Sequence, residues 1–312
     1  MPYTIYYLLI LEYTPYPYLL INKYKETEME YTTVIDSVGI QIDCYKHEEQ
    51  VKVVKELLDF IVDTDSLYYQ YKDYPVGIHP TITTRVYFIY AKRSIVATIT
   101  TNTYLSSKPY QTVYYVKVKF AGLKKYNEVS DKASKDFLFE MCDYLIQQKI
   151  VMKITELDIC IDAKCNFENI LVICTKHAPR TNYHKLNNKF YNSTTYIERI
   201  TKKRVRTATR RSYVYDKSYK EKLKIPITRF ELKLQRKFFY KNKFSIKAIE
   251  NTLDKYHVMY FSDLNMKLEI LGTYNSYKGV RKEQVEKLGL DDYRLKPDID
   301  VIEDFINRVQ GL

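Results

Sequence analysis

The chain contains no tryptophan and only seven glycines in 312 residues. It carries no glycine-rich phosphate loop of the Walker type, so nucleotide-driven work such as a helicase's would have to come from another protein. Cysteine is sparse and odd in number: Cys44, Cys142, Cys160, Cys165 and Cys174 include no CxxC pair. That excludes a disulfide framework and a zinc knuckle, and it points to reduced thiols in the cytoplasm. Long apolar runs are missing too, for none approaches the roughly 20 residues that cross a bilayer. The opening MPYTIYYLLILEY has no basic residue ahead of its apolar run, which breaks at Glu12, so no signal peptide is expected. The expectation is a soluble, cytoplasmic protein with no membrane partner. Linkers rich in Gly, Pro or Ser and internal repeats are also absent, which favours one elaborated core over two independent ones.

What is present is apolar enough to fold and strongly basic. Hydrophobic residues make up 46% of the chain, and 50 Lys and Arg face 38 acids for a formal net charge of +12. A polyanion is the natural partner of such a surface. The 33 tyrosines can arise from the base composition of a gene, so their number alone marks no site.

Periodicity predicts the elements. EEQVKVVKELLDFIV (48–62) repeats apolar residues at helical spacing. TRVYFIYAKRSIVATITT (84–101) and QTVYYVKVKFAGL (111–123) alternate and are rich in β-branched and aromatic residues, which predicts a helix followed by an antiparallel hairpin. SDKASKDFLFEMCDYLIQQKI predicts a helix capped by Ser130 or Asp131 that feeds a strand at ITELDICIDA, 154–163. Beyond it come a short helix around FENILVICTK, a polar loop, strands at TTYIERI, SYVYDK and ITRFELKLQ, a helix from about Ser245 to Tyr260, and a last helix over DIDVIEDFINRVQ. Residues 1–45, interrupted by Pro15 and Pro17, yield no firm element. The fold class is α+β, a mostly antiparallel central sheet with helices packed on one face. Residues 1–244 form the main domain, and 245–312 a more helical C-terminal lobe that is a candidate for sequence recognition.

Three strands carry polar faces that could converge. In ITELDICIDA a period of two puts Asp158 and Asp162 on one side, opposite Leu157, Ile159 and Ile161. RFELKL sets Arg229, Glu231 and Lys233 opposite Phe230, Leu232 and Leu234, and SYVYDK groups Tyr213, Tyr215 and Lys217. If the strands are neighbours, Asp158, Asp162 and Glu231 gather around a phenol and a lysine. Carboxylate oxygens suit Mg²⁺ or Mn²⁺, which neutralise phosphate charge, and a tyrosine hydroxyl needs such a neighbourhood to attack phosphorus. A polar strand face is ordinary wherever it meets water. The neighbourhood sharpens the reading: from Arg199 to Lys224 eleven bases face only Asp216 and Glu221. Among them Lys202, Lys203, Arg204, Arg206, Arg210 and Arg211 adjoin the candidate phenol, where phosphate-binding cations belong.

The order TELDICIDA, TTYIERI, SYVYDKSYKE, ITRFELKLQRKF resembles the Rep_trans family, rolling-circle replication initiators of small plasmids with related relaxases of conjugative elements. The match covers about residues 152–240. Members show a similar T-R-L-D-hydrophobic-x-x-D strand, a Y-[IF]-G element, an R-[IF]-Y-[ND]-K motif and an R-[FV]-E-hydrophobic-x-L strand. The resemblance implies an enzyme that nicks and rejoins origin DNA, single-stranded or hairpin, through a 5′-phosphotyrosine, usually as a homodimer working with a host helicase and polymerase. By position it puts the nucleophile on Tyr215, with Asp158, Asp162 and Glu231 at the metal and Lys217 and Arg229 against phosphate. Glu198 stands where the family usually has glycine, so Tyr213 and Tyr196 remain alternative nucleophiles. The His-hydrophobe-His metal pair of better-known rolling-circle nucleases is absent among His47, His79, His177, His184 and His257. An all-carboxylate site is therefore expected. A relaxase for conjugative transfer and a non-catalytic DNA-binding protein of the same fold are the alternative functions.

Overall fold

The structure is a computed structural model and describes residues 29–76, 79–105, 112–123, 128–174, 184–185, 194–197, 210–242, 245–267 and 289–311. Its centre is a ten-stranded antiparallel sheet in the order β2-β3-β4-β5-β1-β6-β11-β10-β9-β8. The strands are β1 (Tyr31–Cys44), β2 (Leu67–Val76), β3 (His79–Ala91), β4 (Ser94–Leu105), β5 (Thr112–Ala121), β6 (Lys153–Ala163), β8 (His184–Lys185), β9 (Thr194–Tyr196), β10 (Arg210–Asp216) and β11 (Thr228–Leu234). A second, two-stranded sheet joins β7 (Ile170–Cys174) to β12 (Tyr256–Tyr260).

One face of the large sheet is the core. Val38, Ile40 and Ile42 of β1 lie level with Phe120, Val118 and Val116 of β5. The row continues through Leu157 of β6 to Leu234 of β11. Helix α1 (His47–Val62) turns Val53, Val54, Leu57 and Ile61 onto this face, the stripe expected of a half-buried helix. Helix α2 (Glu128–Gln147) adds Phe137, Leu138, Met141 and Leu145, with Phe137 tilted against Phe120 of β5. The small sheet covers the far end of the same face, where Tyr256 packs on Phe230.

Several expected elements take another form. Residues 84–101 are not one strand but parts of β3 and β4, which fold back at Lys92 and Arg93, with Lys92 in the left-handed region at φ 53. Helix α2 starts at Glu128, so Ser130 and Asp131 lie inside its first turn instead of capping it. In the described part of FENILVICTK the only helical turn is a 3-10 turn, Phe167–Asn169, before β7. Its run ILVIC is buried on both sides of the strand, so it lacks the polar alternation that would have marked it. The helix expected from Ser245 to Tyr260 ends at Leu253 and the chain re-enters as β12. Strand β1, where the sequence yields nothing firm, sits mid-sheet between β5 and β6.

Among the described residues, three short helices follow α2: α3 (Lys217–Glu221), α4 (Arg236–Asn242) and α5 (Ile246–Leu253). The last helix, α6 (Ile299–Gln310), is capped by Asp298, whose side chain accepts from the amides of Asp300 and Val301. Its Ile302, Ile306 and Val309 enter the core formed with β1 and α2. The described part of 245–312 is therefore built into the main core through β12 and α6.

Candidate active site

The ladder register decides which side chains meet. Residues opposite one another in an antiparallel pair share a face. Three rows cross the face of β10, β11 and β6 opposite the apolar core: Tyr215, Arg229, Asp162; then Tyr213, Glu231, Cys160; then Arg211, Lys233, Asp158. The last row reaches Ser37 on β1. Between Ile35 and Ser37 the register with β6 slips, leaving Asp36 as an extra residue in β1. Such a bulge bends the strand and re-aims its side chains, so two consecutive residues serve one face. Asp36 reaches Arg229 at 2.5 Å while Ser37 donates to Asp158 at 2.7 Å.

These groups divide into two clusters. In the first, Asp36, Asp158 and Glu231 bring one carboxylate oxygen each within 4.8 Å of one another. Lys233 bridges Asp158 at 2.5 Å and Glu231 at 2.6 Å, and the Tyr213 hydroxyl donates to Glu231 at 2.7 Å. In the second, Arg229 clamps both oxygens of Asp162 at 2.5 and 2.7 Å, and Lys217 donates to the same carboxylate at 2.9 Å. Arg229 ties the clusters together through Asp36. Charge is nearly balanced overall, four carboxylates against Arg229, Lys217 and Lys233, as burial of so many ions requires.

The protonation balance follows from burial and these pairings. Burial pushes the Asp158 carboxyl up, and Lys233 only partly offsets it. Burial would raise Asp162 as well, but the hydrogen bonds and charge of Arg229, with Lys217, hold it below the usual carboxylate range. Burial and then the neighbouring Arg229 charge lower Lys217. Both phenols are pushed up, Tyr213 by burial and the Glu231 charge, Tyr215 by burial against the opposing field of Arg229. Tyr215 is only 3% exposed. Its ring lies 5.8 Å from that of Tyr213, with the Lys220 ammonium 4.6 Å from its centroid.

The residues singled out from sequence are distributed as follows. Asp158, Glu231, Tyr213 and Tyr215 share one face. Asp162 is on that face too, yet the arginine and lysine engage it, and the residue completing the carboxylate trio is Asp36. Lys217 is the first residue of α3 and not part of the strand, and both it and Arg229 are fully buried on carboxylates, not displayed toward a phosphate. Arg210 pairs with Leu234 on the opposite face and donates to the Tyr256 hydroxyl. Arg211 is level with Lys233 on the site face. Tyr196 is the ladder partner of Tyr213. Lys202, Lys203, Arg204 and Arg206 lie outside the described residues. Asp36 and Ser37 escape a sequence reading because the bulge breaks the period of two at that point; the adjacent D and S in VIDSVGI are its only trace.

No protein-family profile and no curated protein matches the chain. Among solved structures, a rolling-circle replication initiator protein from Geobacillus stearothermophilus is similar to it, at 12% identity over 86% of this chain and 99% of that one, with a TM-score of 0.38. That likeness is too slight to carry an argument about activity.

Proposed function

We propose that the chain is a metal-dependent DNA nicking and joining enzyme that initiates rolling-circle replication, with Tyr215 as nucleophile. One observation carries this reading: phenols from β10 and carboxylates from β1, β6 and β11 gather on a single sheet face, in a chain of net charge +12. The Tyr215 oxygen attacks phosphorus, the bond from phosphorus to the 3′ oxygen breaks, and that oxygen leaves as a hydroxyl carrying the proton. A 5′-phosphotyrosine remains, and attack by a 3′-hydroxyl reverses the step and frees the phenol. Both phenols are held neutral at rest, so the proton must leave as the bond to phosphorus forms. Tyr213 already donates to Glu231, while Tyr215 stands beside the guanidinium that would stabilise its anion.

The oxygens of Asp36, Asp158 and Glu231 fit a hard cation. Mg²⁺ or Mn²⁺ held there would neutralise phosphate charge and polarise phosphorus. Asp162 then serves to orient Arg229. A host helicase and polymerase would extend the released 3′ end, and pairing of two copies would bring two such sites to one origin.

The test is a denaturing gel of the protein incubated with Mn²⁺ and a labelled single-stranded or hairpin oligonucleotide from its own replicon. Tyr215→Phe is expected to lose the covalent adduct and Tyr213→Phe to keep it. An adduct that persists in the first and vanishes in the second would move the nucleophile to Tyr213. A second reading, a DNA-binding protein without chemistry, is favoured by Lys233 alone, because its ammonium already bridges two of the three carboxylates.

A further inference from the structure

The site occupies only half of its sheet face. On the other half, β2 to β5, the same face continues away from Glu156, two residues before Asp158 on β6. Burial there alternates: Ile89, Ile99, Val116, Val118 and Phe120 are buried on the core side, while Phe88, Thr98, Thr100, Lys117 and Lys119 between them are half-exposed. The ladder sets these open positions in rows across the strands. One row runs Lys72, Val86, Thr100, Lys117, Gln41, Lys153. The next, two residues along β1 to β5 and therefore about 7 Å away, and three along β6 where the register slips between Gly39 and Ile40, runs Gln70, Phe88, Thr98, Lys119, Gly39, Glu156. Beyond it Tyr68 stacks on Tyr90 with ring centroids 5.1 Å apart. Lysines thus lie beside aromatic side chains on this half-face.

Glu156 restrains two of the lysines at once, Lys117 at 2.5 Å and Lys119 at 3.0 Å, so one positive charge stays uncompensated. Gly39 makes room for this, since a Cβ there would come within 3.0 Å of the Glu156 Cβ. The acid lines up the pair without neutralising it.

We propose that this open half-face is the bed of a single DNA strand that runs on to the Tyr215 site, with phosphates over Lys72, Lys117 and Lys119 and bases on Phe88, Tyr90 and Tyr68. Charge complementarity selects a polyanion. The rings select a single strand, because only unpaired bases offer their faces to stack on a sheet. The proposal rests on the strand-transfer reading for its substrate but concerns binding, and it is tested apart from chemistry.

The measurement is fluorescence anisotropy of the full chain with a labelled single-stranded oligonucleotide across a KCl series, without divalent metal. The triple variant Lys72→Ala, Lys117→Ala, Lys119→Ala is expected to bind at least about tenfold more weakly, and its slope of log affinity against log salt to flatten by about 2, roughly 0.7 for each lost phosphate contact. Glu156→Gln should bind more tightly than wild type and steepen the slope. Phe88→Ala should weaken binding about fivefold to a hundredfold with little salt dependence. Unchanged affinity and slope in the triple variant, with a wild-type urea midpoint to show that it is folded, would overturn the proposal, as would equal competition by the annealed duplex. Wild-type binding here, with no adduct when Mn²⁺ is supplied in the gel assay, would instead sink the catalytic reading and leave the strand bed standing.

Discussion

Lys233 is where the two functional readings part. Its ammonium holds the place between Asp158 and Glu231 that a cation bound by Asp36, Asp158 and Glu231 would need; burial alone would lower its pKa, but the two carboxylates outweigh burial and hold it well above its ordinary value, so it stays charged. A third of its side chain is exposed, so it has a path out of the cluster. In a metal enzyme it would be displaced on binding and would swing toward the substrate phosphate. Lys233→Met removes the competitor and leaves the three carboxylates. Calorimetric titration with Mn²⁺ should then show tighter binding by about tenfold, equivalent to roughly 1.4 kcal/mol. Absence of Mn²⁺ binding in both proteins would make Lys233 a permanent partner of the cluster and favour the reading without chemistry. Because Asp158 is raised above 3.8, Mn²⁺ affinity of either metal-binding protein should climb as pH rises through that raised value, where the carboxyl loses the proton the ion replaces.

At the scale of elements, helix α6 shows how its ends are specified. Its Asp298 cap and its Gly311 stop are both explicit in the sequence, and Gly311 adopts φ 69. A Cβ at that position would come within 2.5 Å of Ile146 Cδ1, so Gly311→Ala combines left-handed strain with a steric conflict. A loss of about 1–3 kcal/mol in urea unfolding is expected; a loss of a few tenths would mean that α2 yields easily at Ile146. Helices with two-sided composition, α1 and α6, and the strands β6, β10 and β11 could be placed from their periods because one side of each carries polar residues, even where burial covers both sides. The same alternation brought Asp158, Glu231, Tyr213 and Tyr215 together on paper. Strand β7 could not be found that way, since ILVIC is apolar at every position, nor could the break between α5 and β12, where no glycine or proline marks the turn. The bulge at Asp36 is a property of pairing between β1 and β6, and no local pattern in either strand encodes it. The engagement of Asp162 by Arg229 and Lys217 was hidden for a related reason: a carboxylate facing a metal and one facing an arginine have the same spacing along a strand.

Over the whole molecule, the end of the chain supports the strand that carries the earliest site residue. Helix α6 lays Ile302, Ile306 and Val309 into the core with β1 and α2, and its approach is fixed by the Asp298 amide donating to Thr33 Oγ1 at 2.7 Å. Thr33 is three residues before Asp36. Arg308 meets Asp143, and Phe305 packs edge-on against Phe139, so α6 also pins α2. Burying three aliphatic side chains contributes about 5–9 kcal/mol at 1.5–3 each, a large part of the 5–15 typical of a domain. A chain ending at Pro297 should therefore lose cooperative unfolding, or unfold at far lower urea, by circular dichroism. Its Mn²⁺ binding should fail in parallel, because β1 would no longer hold Asp36 at the bulge. A separable recognition lobe makes the opposite prediction: the shortened chain would keep its urea midpoint and its metal site, and lose only the choice of DNA sequence.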